Sequence, residues 1–207
     1  MVAIVEPNTF RSERAFLTQK ECTTLIQEIN NQEQTVLNIP NTTEEAQQTL
    51  YKGLTQKYSV YNWLENTVFY AILTPKLTTL QELQNIPRYA VQCWVNKLHF
   101  NEFLPLHCHE DEDTTSRFYA STIFLGGPVE TGTWYEPIGI RQNSIGELQI
   151  ASSDVLHRVP RHLFREPRIS LAMDIMIDEN KLYDIVEKQN AGILYERRFM
   201  FFDNANA

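Results

Sequence analysis

The chain is poor in cysteine, in positive charge and in long apolar runs. Its three cysteines, Cys22, Cys93 and Cys108, are odd in number and scattered. That excludes the disulfide framework of a small secreted domain and is the usage expected in a reducing compartment. Lys and Arg number 18 against 26 Asp and Glu, a net charge of −8, with a pI of about 5.2. A surface of that sign is not built to neutralise phosphates, so nucleic acid is not an expected partner. No window of 18 residues is apolar throughout, so no membrane-spanning helix is expected. The run Met1-Val-Ala-Ile-Val-Glu-Pro7 turns polar at once and lacks the apolar segment of a secretory leader, which makes a cytoplasmic location the expectation. Also missing are Gly-x-Ser-x-Gly, a Walker loop, Gly-x-Gly-x-x-Gly and the Cys-x-x-Cys of a zinc site.

What is present is the makings of one globular domain spanning 1–207. Apolar residues are 43% and charged residues 21%, ordinary globular values, and a chain of this length buries about 70% of its unfolded surface. Residues 1–88 read as mostly helical support. Their only glycine is Gly53. Thr18-Gln-Lys-Glu21 is a capping-box pattern ahead of Cys22, Leu25, Ile26 and Ile29 at helical spacing, which predicts a helix over about 18–30. Asn41-Thr-Thr-Glu44 repeats the start signal. Trp63, Leu64, Val68, Phe69 and Ala71 predict another helix stopping near Pro75, and Leu77, Leu80 and Leu83 a short one before Pro87. From residue 89 to 177 the pattern turns to strands: 90–95, 118–125, 132–135, 148–150, 155–159 and 168–177, separated by Gly/Pro turns. Short strands without intervening helices predict an antiparallel sandwich, jelly roll or barrel. A closing helix over 178–189 and a last strand over 195–202 complete the reading, and the acidic run Glu110–Asp113 reads as a solvated loop.

The chemistry-bearing residues cluster. In His107-Cys108-His109, a strand would point both imidazoles to one face and Cys108 to the other, into the core. His157, about 50 residues on, follows a Ser-Ser-Asp turn. Two ligands close in sequence and a third on a later strand fit a facial metal site with open positions. Arg168-Ile-Ser170 puts an arginine and a hydroxyl on one strand face, where a guanidinium can grip a carboxylate. Arg161 and Arg165 read as surface residues, His162 as an exposed loop residue, His99 as structural, and Trp94 and Trp134 as core.

Trp94-Val-Asn-Lys…Asn101-Glu-Phe-Leu-Pro-Leu-His-Cys-His109 resembles the first metal strand of the iron(II)/2-oxoglutarate-dependent dioxygenases, in particular the short bacterial and phage-type, prolyl-hydroxylase-like members. Ser121-Thr-Ile-Phe-Leu-Gly-Gly127 is similar to their next strand, Ala151-Ser-Ser-Asp-Val-Leu-His157-Arg-Val-Pro160 to the segment of the distal histidine, and Arg168-Ile-Ser170 to the Arg-x-Ser that grips the far carboxylate of 2-oxoglutarate. Phe16–Cys22 resembles their opening helix. The resemblance implies a double-stranded β-helix (jelly roll) with N-terminal helices packed on one sheet. It also implies Fe(II) and 2-oxoglutarate as cofactors, with hydroxylation of a small molecule or protein side chain coupled to decarboxylation of 2-oxoglutarate to succinate. The family's usual triad is His-x-Asp/Glu…His. Here the lead-in Phe103-Leu-Pro-Leu favours His107, His109 and His157, while the register His109-Glu-Asp111 restores the carboxylate, and both stand at this point. A three-histidine, cupin-like metalloenzyme without 2-oxoglutarate and a non-catalytic jelly-roll binding protein are the alternatives. Association is left open, a homodimer included.

Overall fold

A computed structural model of the chain describes residues 9–40, 52–109, 118–136, 138–178, 182–183, 186–187 and 199–204. Helix α1 (Gln19–Leu37) starts at the anticipated capping box: Thr18 accepts from the Glu21 N–H, and Glu21 reaches back to the Thr18 N–H. Such a cap is worth about 1 kcal/mol. The helix runs past residue 30 because Val36, one turn beyond Asn31-Gln-Glu-Gln, is buried in its turn. Helix α2 (Thr67–Leu77) is capped by Asn66 and passes through Pro75. The proline forfeits one backbone bond only two residues from the helix end, where buried Leu77 holds the last turn. In place of a further helix there is a single 3-10 turn, Gln81–Leu83.

Ten strands among the described residues form two antiparallel sheets. They are β1 (Phe10–Glu13), β2 (Arg88–Leu98), β3 (Leu104–His107), β4 (Phe118–Gly126), β5 (Gly132–Tyr135), β6 (Gly139–Gln142), β7 (Leu148–Ser152), β8 (His157–Val159), β9 (Arg168–Met176) and β10 (Met200–Asp203). The large sheet has the order β1-β7-β4-β9-β2-β10 and the small one β3-β8-β5-β6. From β2 to β9 the chain alternates between the sheets, apart from the β5–β6 hairpin, and β10 then returns to the large sheet beside β2. That is the winding of a jelly roll, the double-stranded β-helix expected from the sequence.

The two faces of the large sheet do different work. On β9, Ile169, Leu171, Met173 and Ile175 join Val91, Cys93, Val95, Ile123, Leu148 and Ile150 in a core that also takes Cys22, Leu25 and Ile29 of α1 and Phe69 and Leu73 of α2. Each such side chain contributes about 1.5–3 kcal/mol on burial. The alternate residues face the small sheet and line the cavity described below. Helices α1 and α2 therefore pack on the outer face, and the inner face carries the site, closed in part by Thr55 and Tyr58 of a 3-10 helix, Gly53–Ser59.

Other expectations meet their outcomes as follows. Strand β1 had no counterpart in the sequence reading, and Gly139 opens β6 besides turning the chain. The start signal at Asn41, the acidic run 110–113 and residues 195–198 lie outside the described residues. Within 178–189 the described residues 182, 183, 186 and 187 are helical, and the last strand is β10.

Gly146 ties α1 to the sheets. Its carbonyl accepts from the Leu17 N–H, 3.0 Å away, and its own N–H donates to the Phe124 carbonyl at 2.8 Å. Its φ is +75°, and a Cβ there would lie 2.0 Å from the Leu17 carbonyl oxygen. Gly53 also has a positive φ, +58°, but opens onto free space. Gly146→Ala should therefore destabilise by more than about 2 kcal/mol, and Gly53→Ala by only about 1 kcal/mol, the left-handed penalty alone. Urea unfolding of both variants checks this. Equal losses would show that the close approach to Leu17 carries no weight.

Candidate metal centre and active site

His107 ends β3 and His157 opens β8, and the two are register partners across that strand pair. Direct cross-strand neighbours have Cβ atoms about 4.5–5.5 Å apart, and here the ring centroids are 4.4 Å apart. His109 lies beyond the end of β3, fixed by its N–H to the Ser153 carbonyl at 2.8 Å. Its ring centroid is 5.3 Å from His107 and 5.0 Å from His157. One ligand atom from each of the three histidines lies within 4.8 Å of the others. The convergence read from the sequence is present, although it comes from a strand end and an irregular residue and not from one continuous strand. Asp111 lies outside the described residues.

Each ring is held through Nδ1. His107 Nδ1 donates to the Pro105 carbonyl at 2.8 Å, His157 Nδ1 to the Val155 carbonyl at 2.9 Å, and His109 Nδ1 to Asp174 Oδ1 at 2.6 Å. Oxygen acceptors on all three Nδ1 atoms require the proton there. With the proton on Nδ1, Nε2 is the nitrogen that each ring can offer a metal, with tautomer and ring orientation set in the manner of metal-binding imidazoles. Burial, then the neighbouring rings, pushes the His157 imidazole down to about 3. Burial also lowers His107, so both are neutral at neutral pH. A donor set of three imidazoles fits a divalent transition metal.

One cavity of about 210 Å³ is lined by all three histidines and by Arg168 and Ser170. Arg168 opens β9 and is 1% exposed. Its Nη1 donates to Ser170 Oγ at 2.8 Å, and Nη2 to Thr133 Oγ1 at 3.2 Å and Asn143 Oδ1 at 3.3 Å. Phe124 lies under the guanidinium at 5.8 Å. Nε has no partner, and among the described residues no carboxylate comes within 4.0 Å of the group. Burial pushes Arg168 down to about 10, which still leaves it charged at neutral pH. A buried cation without a counter-ion costs several kcal/mol, and here it faces a cavity, so the arrangement fits a ligand carboxylate.

Several side chains stand elsewhere than the sequence reading put them. Cys108 lines the cavity and is half-buried, because the strand alternation that would have sent it to the core ends at His107. His162 is buried at 1% exposure, its Nε2 donating to the Glu166 carbonyl at 2.6 Å, where an exposed loop residue was expected. Trp94 faces the cavity and stacks on His109 at 5.9 Å, so it is more than core. Trp134 is half-buried beneath Arg158. His99, expected to be structural, has an exposed side chain, while Arg161 and Arg165 are exposed as expected. The sequence reading missed Asp174, 1% exposed on β9. A single carboxylate inside Ile-Ser-Leu-Ala-Met-Asp-Ile-Met-Ile, at the same strand parity as Arg168, was the available signal. Thr133 and Asn143, which hold Arg168, carried none.

No protein-family model matches the chain, and no curated protein matches it. Solved structures do resemble it. EctD from S. alaskensis, with 2-oxoglutarate and 5-hydroxyectoine, aligns with a TM-score of 0.61 at 12% identity, covering 82% of this chain and 72% of that one. The epimerase SnoN in complex with Fe3+, alpha ketoglutarate and nogalamycin RO aligns at 0.60 and 12% identity, covering 82% and 79%. A prolyl hydroxylase in complex with a hypoxia inducible factor peptide, from Trichoplax adhaerens, aligns at 0.60 and 11%, covering 85% and 87%. At these identities the likeness is one of fold.

Cys22 and Cys93 are buried, and burial raises both thiols, Cys22 to about 11. An aromatic disulfide reagent should therefore modify native protein at Cys108 at least tenfold faster than at the other two, and Cys108→Ser should remove that fast phase. A fast phase surviving in the Ser variant would contradict the cavity position of Cys108.

Proposed function

We propose that this chain is an iron(II)- and 2-oxoglutarate-dependent oxygenase, with His107, His109 and His157 holding the metal and Arg168 and Ser170 holding the far carboxylate of 2-oxoglutarate. One observation carries the reading. A single cavity is lined by three imidazoles with converging ligand atoms and by a buried guanidinium that no carboxylate of the described residues neutralises. The fold likeness supports it. Iron(II) with 2-oxoglutarate supplies dioxygen activation coupled to decarboxylation of the oxo acid to succinate and to oxygen insertion into a substrate C–H bond.

The chain's own groups do the remaining work. The Pro105 and Val155 carbonyls and the Asp174 carboxylate fix the three rings. Ser170, Thr133 and Asn143 hold the guanidinium of Arg168 in place, and a planar fork binds a carboxylate through two parallel N–H donors. Phe124 and the core below exclude water from that end and strengthen the charge interaction. Thr55, Tyr58, Trp94 and Asn96 line the rest of the cavity. Thr55 Oγ1 and Asn96 Oδ1 are buried without partners among the described residues, which suits an uncharged polar group of a small molecule or protein side chain.

Two measurements test the reading. His107→Ala and His157→Ala should each abolish Fe(II) or Mn(II) binding, and Asp111→Ala should leave it intact. Loss of metal in the Asp111 variant would establish the other register. Anaerobic calorimetry of Mn(II)-loaded protein should then give saturable 2-oxoglutarate binding. Hydrogen bonds to charged groups are worth about 1.5–3 kcal/mol, so Arg168→Ala should weaken binding by one to two orders of magnitude. Arg168→Lys should recover little, since an ammonium lacks the planar fork. Metal binding without any 2-oxoglutarate binding would favour the three-histidine metalloenzyme that does not use the oxo acid.

A further inference from the structure

Asp174 sits near the end of the most enclosed strand, β9, between register partners Gln92 of β2 and Ala120 of β4. Ala120, a small side chain, lines the same cavity as His109. The carboxylate is 1% exposed. Its Oδ1 accepts from His109 Nδ1 at 2.6 Å, at the short end of charge-assisted bonds. Nδ1 of His109 leans on a carboxylate, while Nδ1 of His107 and of His157 lean on backbone carbonyls. The Trp94 ring lies alongside that of His109, their centroids 5.9 Å apart.

We propose that Asp174 is a positioning residue that supplies, through His109, the negative charge that an all-imidazole ligand set lacks. The inference rests on the metal site proposed above. A carboxylate bonded to Nδ1–H draws the proton toward itself and makes Nε2 a stronger donor, giving the imidazole part of the character of an anionic ligand. It also lowers the charge left buried when a divalent cation sits among three imidazoles. Position 109 is where a carboxylate would stand in a His-x-Asp/Glu set, and in this chain the carboxylate stands one bond further out, on the neighbouring sheet.

The test uses full-length protein titrated anaerobically with Mn(II), comparing wild type, Asp174→Asn, Asp174→Ala, His109→Ala and His157→Ala. Asp174→Asn keeps the shape and an oxygen for His109 Nδ1–H but removes the charge. It should retain the wild-type Tm in the absence of metal and lose about 10–100-fold in Mn(II) affinity, the range for such supporting partners. Asp174→Ala should lose at least as much. Nitrogen chemical shifts of His109 in metal-free protein give a readout independent of metal. Wild type should carry the proton on Nδ1, and Asp174→Ala should shift the ring toward a mixture of tautomers. Unchanged Mn(II) affinity in Asp174→Asn, with His157→Ala still abolishing binding, would overturn the role of Asp174 and leave the histidine site standing. Complete loss of metal in Asp174→Asn with normal binding in His109→Ala would make Asp174 itself a ligand, which also overturns it. No Mn(II) binding by wild type would refute the histidine site and this inference together.

Discussion

The architecture depends on the alternation of one strand. β9 lies between β2 and β4 at the middle of the large sheet, and every one of its residues is buried. Its odd-numbered residues, Ile169 to Ile175, are set into the helix-covered core, and its even-numbered ones turn Arg168, Ser170, Ala172 and Asp174 to the cavity side. A slip of one residue would exchange the sets and drive an arginine and an aspartate into the apolar core. The register is therefore fixed by the energy of both faces at once. The helices matter to the site for this reason: by burying the outer face they hold the strand whose inner face carries the polar groups.

That division explains what could be read from the sequence. Helix α1 was legible because the Thr18–Glu21 box and the spacing of Cys22, Leu25 and Ile29 agree with each other. The jelly-roll strands were legible because runs buried on both faces are apolar throughout and end at Gly/Pro turns. Strand β1 was not, since Phe10-Arg-Ser-Glu13 is a half-exposed edge with no periodic signal. At the site, His107, His109, His157, Arg168 and Ser170 were singled out, and the cavity gathers them. Cys108 was misplaced because alternation was extended past the end of β3, where the bond from His109 N–H to Ser153 sets direction instead, and His162 because a loop position was read as exposed, although its backbone pairs with Asn101 and Glu102 and its ring with the Glu166 carbonyl. Asp174 was hidden by the apolar run around it. A continuous apolar strand declares that it is buried but not which of its faces meets a core and which a cavity.

The distribution of charge says the most about what the cavity admits. The chain is acidic, and several of its outer cations find carboxylates: Arg11 with Glu82 and Glu13, Arg88 with Asp203, Lys97 with Glu33, Arg141 near Glu147. Arg168, the most deeply buried of them, is surrounded by Ser170, Thr133 and Asn143. Neutral oxygens orient a guanidinium without cancelling its charge, so the field of Arg168 remains directed into the cavity. At the imidazole end the sign is opposite: three nitrogen lone pairs, one of them backed by the carboxylate of Asp174. An anion is drawn by the first end and repelled by the second, and a cation the reverse. The chain's own groups thus leave both ends electrostatically incomplete, and in complementary ways. A divalent cation among the imidazoles removes the repulsion and adds an attraction, so an acid with a carboxylate at each end becomes the natural bridge between them. On the proposed function, the uncharged remainder of the cavity, along Thr55, Trp94 and Asn96, is left to the substrate, to be recognised by shape and neutral hydrogen bonds.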